Sequence, residues 1–244
     1  MGYLCKKDHS KFLYFLKKIA IITGANGNLG KFIVKKFLLE GYGVVGMVHQ
    51  KKSNPAFSDE NYREIEIDLL QEETCKTAIE TIIRNYHTID VAILTAGGFA
   101  MGDISTTTSA NIYAQYQLNF ETAYHIAQPV FLQMMQQNSG RIFFIGSRPG
   151  YDFAHAKGLT AYALSKSLLF RLSELMNKEA KGKNVVSAVI VPSIIDTPQN
   201  REAMPTSDFS EWVQPAQIAD ALFYYSTSQA AAIREPVIKI YNDS

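Results

Sequence analysis

Apolar positions along the chain change period again and again, from short unbroken apolar runs to stretches in which they recur every three or four residues. These runs predict a buried strand at Ile19–Ile22 and further strands at Gly43–Val48, Arg63–Ile67, Asp90–Leu94, Arg141–Ile145, Val185–Val191 and Pro236–Tyr241. Helical spacing predicts a helix opening near Gly30 through Ile33, Val34, Phe37 and Leu38, then helices over Gln71–Tyr86, Ile112–Gln136, Thr160–Ala180 and Pro215–Ser226. Strands and helices alternate with short connections. That alternation predicts a parallel sheet covered by helices on both faces, with right-handed crossovers.

The fold class read here is therefore α/β, a doubly wound parallel sheet of the Rossmann type in a single domain over residues 18–244, with residues 1–17 as an N-terminal extension. Ligands on such sheets bind beyond the carboxyl ends of the strands. The polar clusters fall at those ends: Thr23-Gly24, His49, Asp68, Thr95 to Gly98, Ser147, and Pro192 to Thr197. The first turn reads T-G-A-N-G-N-L-G. Gly24 permits the sharp exit from the strand, Gly27 removes a side chain where a ligand approaches, and Gly30 lets the helix pack close to the sheet. The helix N-terminus favours an anion, so Thr23, Gly24, Asn26, Gly27, Asn28, Leu29 and Gly30 form a candidate dinucleotide cradle.

With 244 residues the chain fits one domain and buries a sizeable core. A formal net charge of +1 supplies no global field for nucleic acid or an anionic membrane, which leaves a small-molecule substrate as the expected partner. Cys5 and Cys75 have neither metal-ligand spacing nor a disulfide framework, and no metal site is predicted. A cytoplasmic location follows as the expectation. The apolar pentad Phe12 to Leu16 is too short for a membrane span or a secretory signal, and the extension is read as a surface arm.

Tyr162 and Lys166 stand four apart in Y-A-L-S-K, which puts both on one helix face, where an ammonium can lower a phenol's pKa. Ser147, at the end of the preceding strand, can donate to a substrate carbonyl. At these residues the chain resembles the short-chain dehydrogenase/reductase family, in T-G-A-N-G-N-L-G, Asp68, Ala96-Gly97, Asn119, Ser147, Tyr162, Lys166 and P-S-I-I-D-T at 192 to 197. The resemblance covers nearly everything from Lys18 to Tyr241. It implies Asn119, Ser147, Tyr162 and Lys166 as the catalytic set. Tyr162 gives a proton to the carbonyl, Lys166 lowers its pKa and holds the nicotinamide ribose, Ser147 orients the substrate, and Asn119 anchors a relay water. It further implies cofactor contacts at Asp68, Leu69, Ala96, Gly97, Gly98, Pro192, Ile195 and Thr197, and a homodimer or homotetramer through the helices around Ile112–Gln136 and from Thr160.

The chain departs from the family pattern at Asn28 in the glycine turn, at Leu94-Thr95, at Ser193, and in a Ser147-to-Tyr162 separation of fifteen residues, which predicts a bulge over Arg148 to Leu159. A narrower resemblance, to the dihydropteridine reductase branch, lies in A-G-G-F-A at 96 to 100 and in the stretch from Asp196 to Trp212. It places Asn200, Arg201, Met204, Phe209 and Trp212 in or above the pocket as a lid, unless Phe209 and Trp212 pin that loop to the core. The second strand ends in Val48-His49-Gln50-Lys51-Lys52, without a carboxylate, so NADP(H) is favoured over NAD(H), with His49, Lys51 and Lys52 as candidate phosphate contacts. The function read from the chain is NAD(P)-dependent reduction of a carbonyl or quinonoid, pterin-like substrate. Two alternatives stay open: a non-catalytic NADP(H)-binding or sensing protein, and a sugar-nucleotide epimerase-like enzyme suggested by the glycine spacing.

Overall fold

The computed structural model describes residues 17–51 and 57–242. Most of the N-terminal extension, with Cys5 and the 12–16 pentad, and the candidate phosphate contact Lys52 lie outside the described residues. Seven parallel strands form one sheet in the order β3-β2-β1-β4-β5-β6-β7. They are β1 (Ile19–Thr23), β2 (Gly43–Val48), β3 (Tyr62–Glu66), β4 (Val91–Leu94), β5 (Ser139–Ile145), β6 (Asn184–Pro192) and β7 (Val237–Ile240). The first strand, β1, lies inside the sheet; the chain then winds outward to β3, returns to β4 beside β1, and winds the other way. This reversal between β1 and β4 opens a crevice at their carboxyl ends.

Helices α1 (Gly30–Leu39) and α8 (Pro215–Ser226) cover one face. There Ile33, Val34, Phe37, Ile218 and Leu222 pack on Ala20, Ile22, Ile93 and Phe143, and the Phe37 ring meets Phe223 edge-on at 5.9 Å. Helices α2 (Glu72–Tyr86), α4 (Thr122–Gln137) and α6 (Thr160–Glu179) cover the other face. Their Ile79, Ile82, Ile126, Val130 and Leu169 close over Ile21, Val45, Ala92 and Phe144. Both faces of β1, β2 and β4 are buried, which is why these strands are continuous apolar runs rather than alternating ones.

The predicted helix Ile112–Gln136 differs in detail. It starts earlier, as α3 (Ser109–Tyr116), and reaches α4 through a π turn at Gln117–Glu121 that holds Asn119. Thr108 caps α3 by accepting from the Asn111 amide, and the Asn111 side chain accepts from the Thr108 amide in return. The predicted bulge after Ser147 contains a short helix, α5 (Arg148–Tyr151), and a 3₁₀ turn at Phe153–His155. One further short helix, α7 (Pro198–Ala203), follows β6.

Candidate active site

Four elements converge at the crevice: the ends of β4 and β5, the π turn, and the first two turns of α6. Thr23 and Thr95 staple the β1 and β4 ends together. The Thr95 hydroxyl donates to the Thr23 carbonyl at 2.6 Å, and the Thr23 hydroxyl accepts from the Ala96 amide at 3.1 Å. Thr23 is buried with its hydroxyl engaged in this way, so its place is below the crevice floor. From there the chain runs through Ala96, Gly97 and Gly98. A Cβ on Gly97 would stand 2.6 Å from Asn119 Oδ1 and 3.2 Å from Lys166 Nζ, so only a glycine passes between the two side chains.

Asn119 is fully buried. Its Oδ1 accepts from the Gly98 amide at 3.0 Å, and its Nδ2 donates to the Gly98 carbonyl, with Gln115 Oε1 and Ser165 Oγ also at 3.1 Å. The Ser165 hydroxyl donates onward to the Tyr162 carbonyl at 2.8 Å, tying the π turn to α6. Insertions of this kind in a helix turn a side chain out of the regular face, and they recur at functional sites.

Ser147 follows β5 and caps α5, its Oγ accepting from the Gly150 amide at 3.1 Å. The same hydroxyl stands close enough to act on the Tyr162 phenol. Burial holds the Tyr162 phenol above its ordinary value, and the neighbouring Ser147 offsets part of that rise. The expected lowering by Lys166 is not among the groups acting on Tyr162. Lys166 shares the helix face, but its ammonium donates to the Ile145 carbonyl at 2.8 Å, and burial pushes its pKa down to about 8.

The glycine turn fits a dinucleotide. Gly24 has a φ of +62°, and a Cβ on Gly30 would fall 2.1 Å from the Gly24 carbonyl. No side chain caps α1 and no acidic residue stands in its first turn, so the positive helix end is left uncompensated. Asn26 Oδ1 is buried without a hydrogen-bond partner, an acceptor that the turn leaves for a ligand's hydroxyl or amide. Asp68, exposed after β3, accepts from the Leu70 amide at 3.0 Å, and the Leu69 carbonyl meets His125 Nδ1 at 2.9 Å. Among the described residues there is no cluster of His, Cys, Asp or Glu that would hold a metal ion.

One expectation about the cofactor pocket needs correcting. A carboxylate does stand at the end of β2: Glu66 of β3 lies in register with Val48, and its Oε2 accepts from the Lys51 amide at 3.2 Å. His49 and Lys51 are exposed beside it. The lid also differs. Trp212 is buried, Phe209 packs on it at 4.8 Å, and Ile195 bridges to Val213, so these aromatics pin the loop to the body of the protein. Arg201 lies over the Phe209 ring at 4.7 Å and forms a two-pronged ion pair with Asp196, at 2.6 and 2.7 Å. Arg201, with help from Gln214, holds the Asp196 carboxyl down to about 2. Thr197 caps α7 and Asn200 donates to the Ile195 carbonyl at 2.8 Å, so the segment after Pro192 is internally tied at the mouth of β6.

An aromatic that sequence reasoning passed over completes the site. Phe99 meets the Tyr162 ring edge-on, with centroids 5.0 Å apart. A single ring in a glycine-rich run has no periodicity to mark it.

The family model for short chain dehydrogenases matches residues 18–208. The chain belongs to this family. As a short-chain dehydrogenase it is an NAD(P)-dependent oxidoreductase. An acetoacetyl-CoA reductase from an Acinetobacter strain is 25% identical over 240 residues, covering 92% of this chain and 96% of its own. The 3-oxoacyl-(acyl-carrier-protein) reductase FabG of Buchnera aphidicola is 25% identical over 229 residues, covering 89% and 93%. Among solved structures, ElxO with NADP bound aligns over 92% of this chain and 97% of its own at a TM-score of 0.83 and 20% identity. A short-chain oxidoreductase from Burkholderia thailandensis aligns over 93% and 92% at 0.81 and 22%. At these identities the two structures speak for the fold, which this short-chain dehydrogenase shares along nearly its whole length.

Proposed function

We propose that this short-chain dehydrogenase reduces a carbonyl or quinonoid substrate with NADPH, and that Tyr162 gives the proton to the substrate oxygen. The observation that carries this reading is the convergence of Ser147, Tyr162, Lys166 and Asn119 beside the glycine turn. The nicotinamide, when bound, supplies the hydride. Ser147 and Tyr162, side by side at the end of β5 and on α6, would receive one oxygen atom between them and stabilise the charge that grows on it. Lys166, fixed by the Ile145 carbonyl and standing beside Gly97, holds its ammonium in the buried floor, where it would take the nicotinamide ribose. Asn119 holds the Gly98 peptide and thereby the wall of the pocket. Gly24, Asn26 to Gly30, His49, Asp68, Leu69, Ala96 to Gly98, Pro192, Ile195 and Thr197 are the residues we assign to the dinucleotide, with Thr23 bracing the floor beneath them. His49 and Lys51 at the β2 end favour a 2′-phosphate, and ElxO, a structural neighbour, binds NADP.

We also assign a homo-oligomer, dimer or tetramer, because α3, α4 and α6 present exposed Tyr113, Tyr124, Leu164 and Leu168 on the surface. A reducing compartment such as the cytoplasm suits Cys75, whose thiol is buried and pushed up to about 11.

Initial rates of NADPH and NADH oxidation with β-keto esters, quinones and quinonoid dihydropterin test the proposal. Turnover faster with NADPH supports it, and pterin turnover assigns the narrower substrate. Cofactor binding without turnover of any of these favours a sensing protein, and NAD that co-purifies favours the epimerase-like reading.

A further inference from the structure

The loop after β4 is built as a rigid platform, and its apolar side chains face solvent. Phe99, Met101 and Ile104 are 60%, 80% and 83% exposed. The exposure is not that of an untethered loop, because both flanks are fixed. On one side Asn119 takes both backbone polar groups of Gly98, directly before Phe99. On the other, the Gly102 amide donates to the Gly158 carbonyl at 2.8 Å and the Thr160 amide donates to the Gly102 carbonyl at 2.9 Å, which ties the loop to the start of α6. Asp103 spends its carboxylate inside the turn, on the amides and hydroxyls of Ser105 and Thr106 at 2.7–3.0 Å. The platform therefore offers three apolar side chains and no charge seeking a partner. Its inner end is the Phe99 ring, one aromatic contact from the phenol assigned to the substrate oxygen.

We propose that Phe99 is a specificity residue that receives an aromatic or bulky apolar substituent next to the reacting carbonyl of an uncharged substrate, with Met101 and Ile104 extending the same surface outward. The inference rests on the carbonyl-reducing reading above. A substrate whose carbonyl oxygen sits at Ser147 and Tyr162 has its substituent within reach of the exposed part of the Phe99 ring, where offset or edge-on ring contact and loss of water both favour binding. A small methyl substituent leaves that surface wet.

The test is kcat/KM with NADPH for ethyl benzoylacetate and ethyl acetoacetate, which differ in phenyl against methyl at the reacting carbonyl, in the native protein, Phe99→Ala and Phe99→Leu. The native protein is expected to prefer the phenyl substrate. Phe99→Ala is expected to lower the phenyl-over-methyl ratio about tenfold or more, chiefly through KM, with Phe99→Leu between the two. An equal loss on both substrates, carried by kcat, makes Phe99 a prop for Tyr162 and overturns the inference. An absent native preference, or an unchanged ratio in Phe99→Ala, overturns it as well while leaving carbonyl reduction standing. If the native protein binds NADPH and turns over neither ester, the inference falls; if it turns over none of the quinones and quinonoid dihydropterin either, the carbonyl-reducing reading falls with it.

Discussion

The Lys166 ammonium lies 2.8 Å from the Ile145 carbonyl, the last of strand β5, in a buried pocket with no carboxylate among the groups acting on it. Strand β5 thus positions two parts of the site at once, Ser147 just past its end and the cation of α6 against its last carbonyl. Burial without a counter-ion is what brings the lysine's pKa down to about 8.

A pH prediction follows from this pair. Reduction is expected to lose rate as pH rises through about 8, when Lys166 gives up its charge, while Tyr162, held above its ordinary value, keeps its proton. Folded Lys166 deprotonates near 8 and the unfolded chain near 10.5. Between these the unfolded chain holds the extra proton, so stability rises with pH while activity falls. Profiles of kcat/KM and of the thermal midpoint from pH 7 to 10 check both signs, and a rate that climbs across this window contradicts the assignment.

Ser147 accepts from the Gly150 amide and stands beside the Tyr162 phenol. Ser147→Ala is expected to cost about 0.5–2 kcal/mol of stability through the lost cap, and about 10²-fold in kcat through the lost donor. Denaturant titration and steady-state rates separate the two effects. Equal kcat in the variant removes Ser147 from the reaction.

Close approach in the glycine turn makes Gly30→Ala a sharp test of the cradle. Its Cβ would meet the Gly24 carbonyl at 2.1 Å, and relieving the clash must push α1 off the turn. Overpacking of this kind costs about 1–3 kcal/mol. NADPH affinity, followed by fluorescence titration, is expected to collapse in this variant. Binding that survives unchanged would place the dinucleotide elsewhere.

Glu66 sets a limit on cofactor choice. Its carboxylate sits on the Lys51 amide beside the basic turn, where a 2′-phosphate is expected. Glu66→Gln keeps an acceptor and removes the charge, so the NADPH-to-NADH affinity ratio is expected to rise severalfold, the size of one exposed charge interaction of about 0.2–1 kcal/mol. The gain should shrink as salt is added. A ratio that does not move takes Glu66 out of cofactor recognition.

What the sequence made legible divides along physical lines. Strand β2, Gly43–Val48, was readable to the residue because both its faces are buried, and helix α8 because Pro215 opens it. Tyr162, Lys166, Ser147 and Asn119 stood out because type, order and spacing agreed. The π turn at Gln117–Glu121 left no mark, since Q-L-N-F-E contains neither Gly nor Pro and keeps a helical look. Helix α5 was hidden because Pro149 and Gly150 read as loop, although Ser147 caps it. Glu66 reaches the end of β2 only through strand register, a relation across the sheet that linear order does not display. Whether Trp212 was lid or anchor turned on burial, which only the packed structure decides.

The account stands on Tyr162 as the proton donor, and the direct measurement is NADPH oxidation by Tyr162→Phe with a β-keto ester, beside NADPH binding to the same variant. Ring packing against Phe99 survives this change and the hydroxyl alone is lost. Turnover is expected to fall by about 10²–10⁴-fold, the usual worth of a positioned general acid, with NADPH still bound. A variant that binds NADPH and reduces the ester at the native rate would contradict the mechanism.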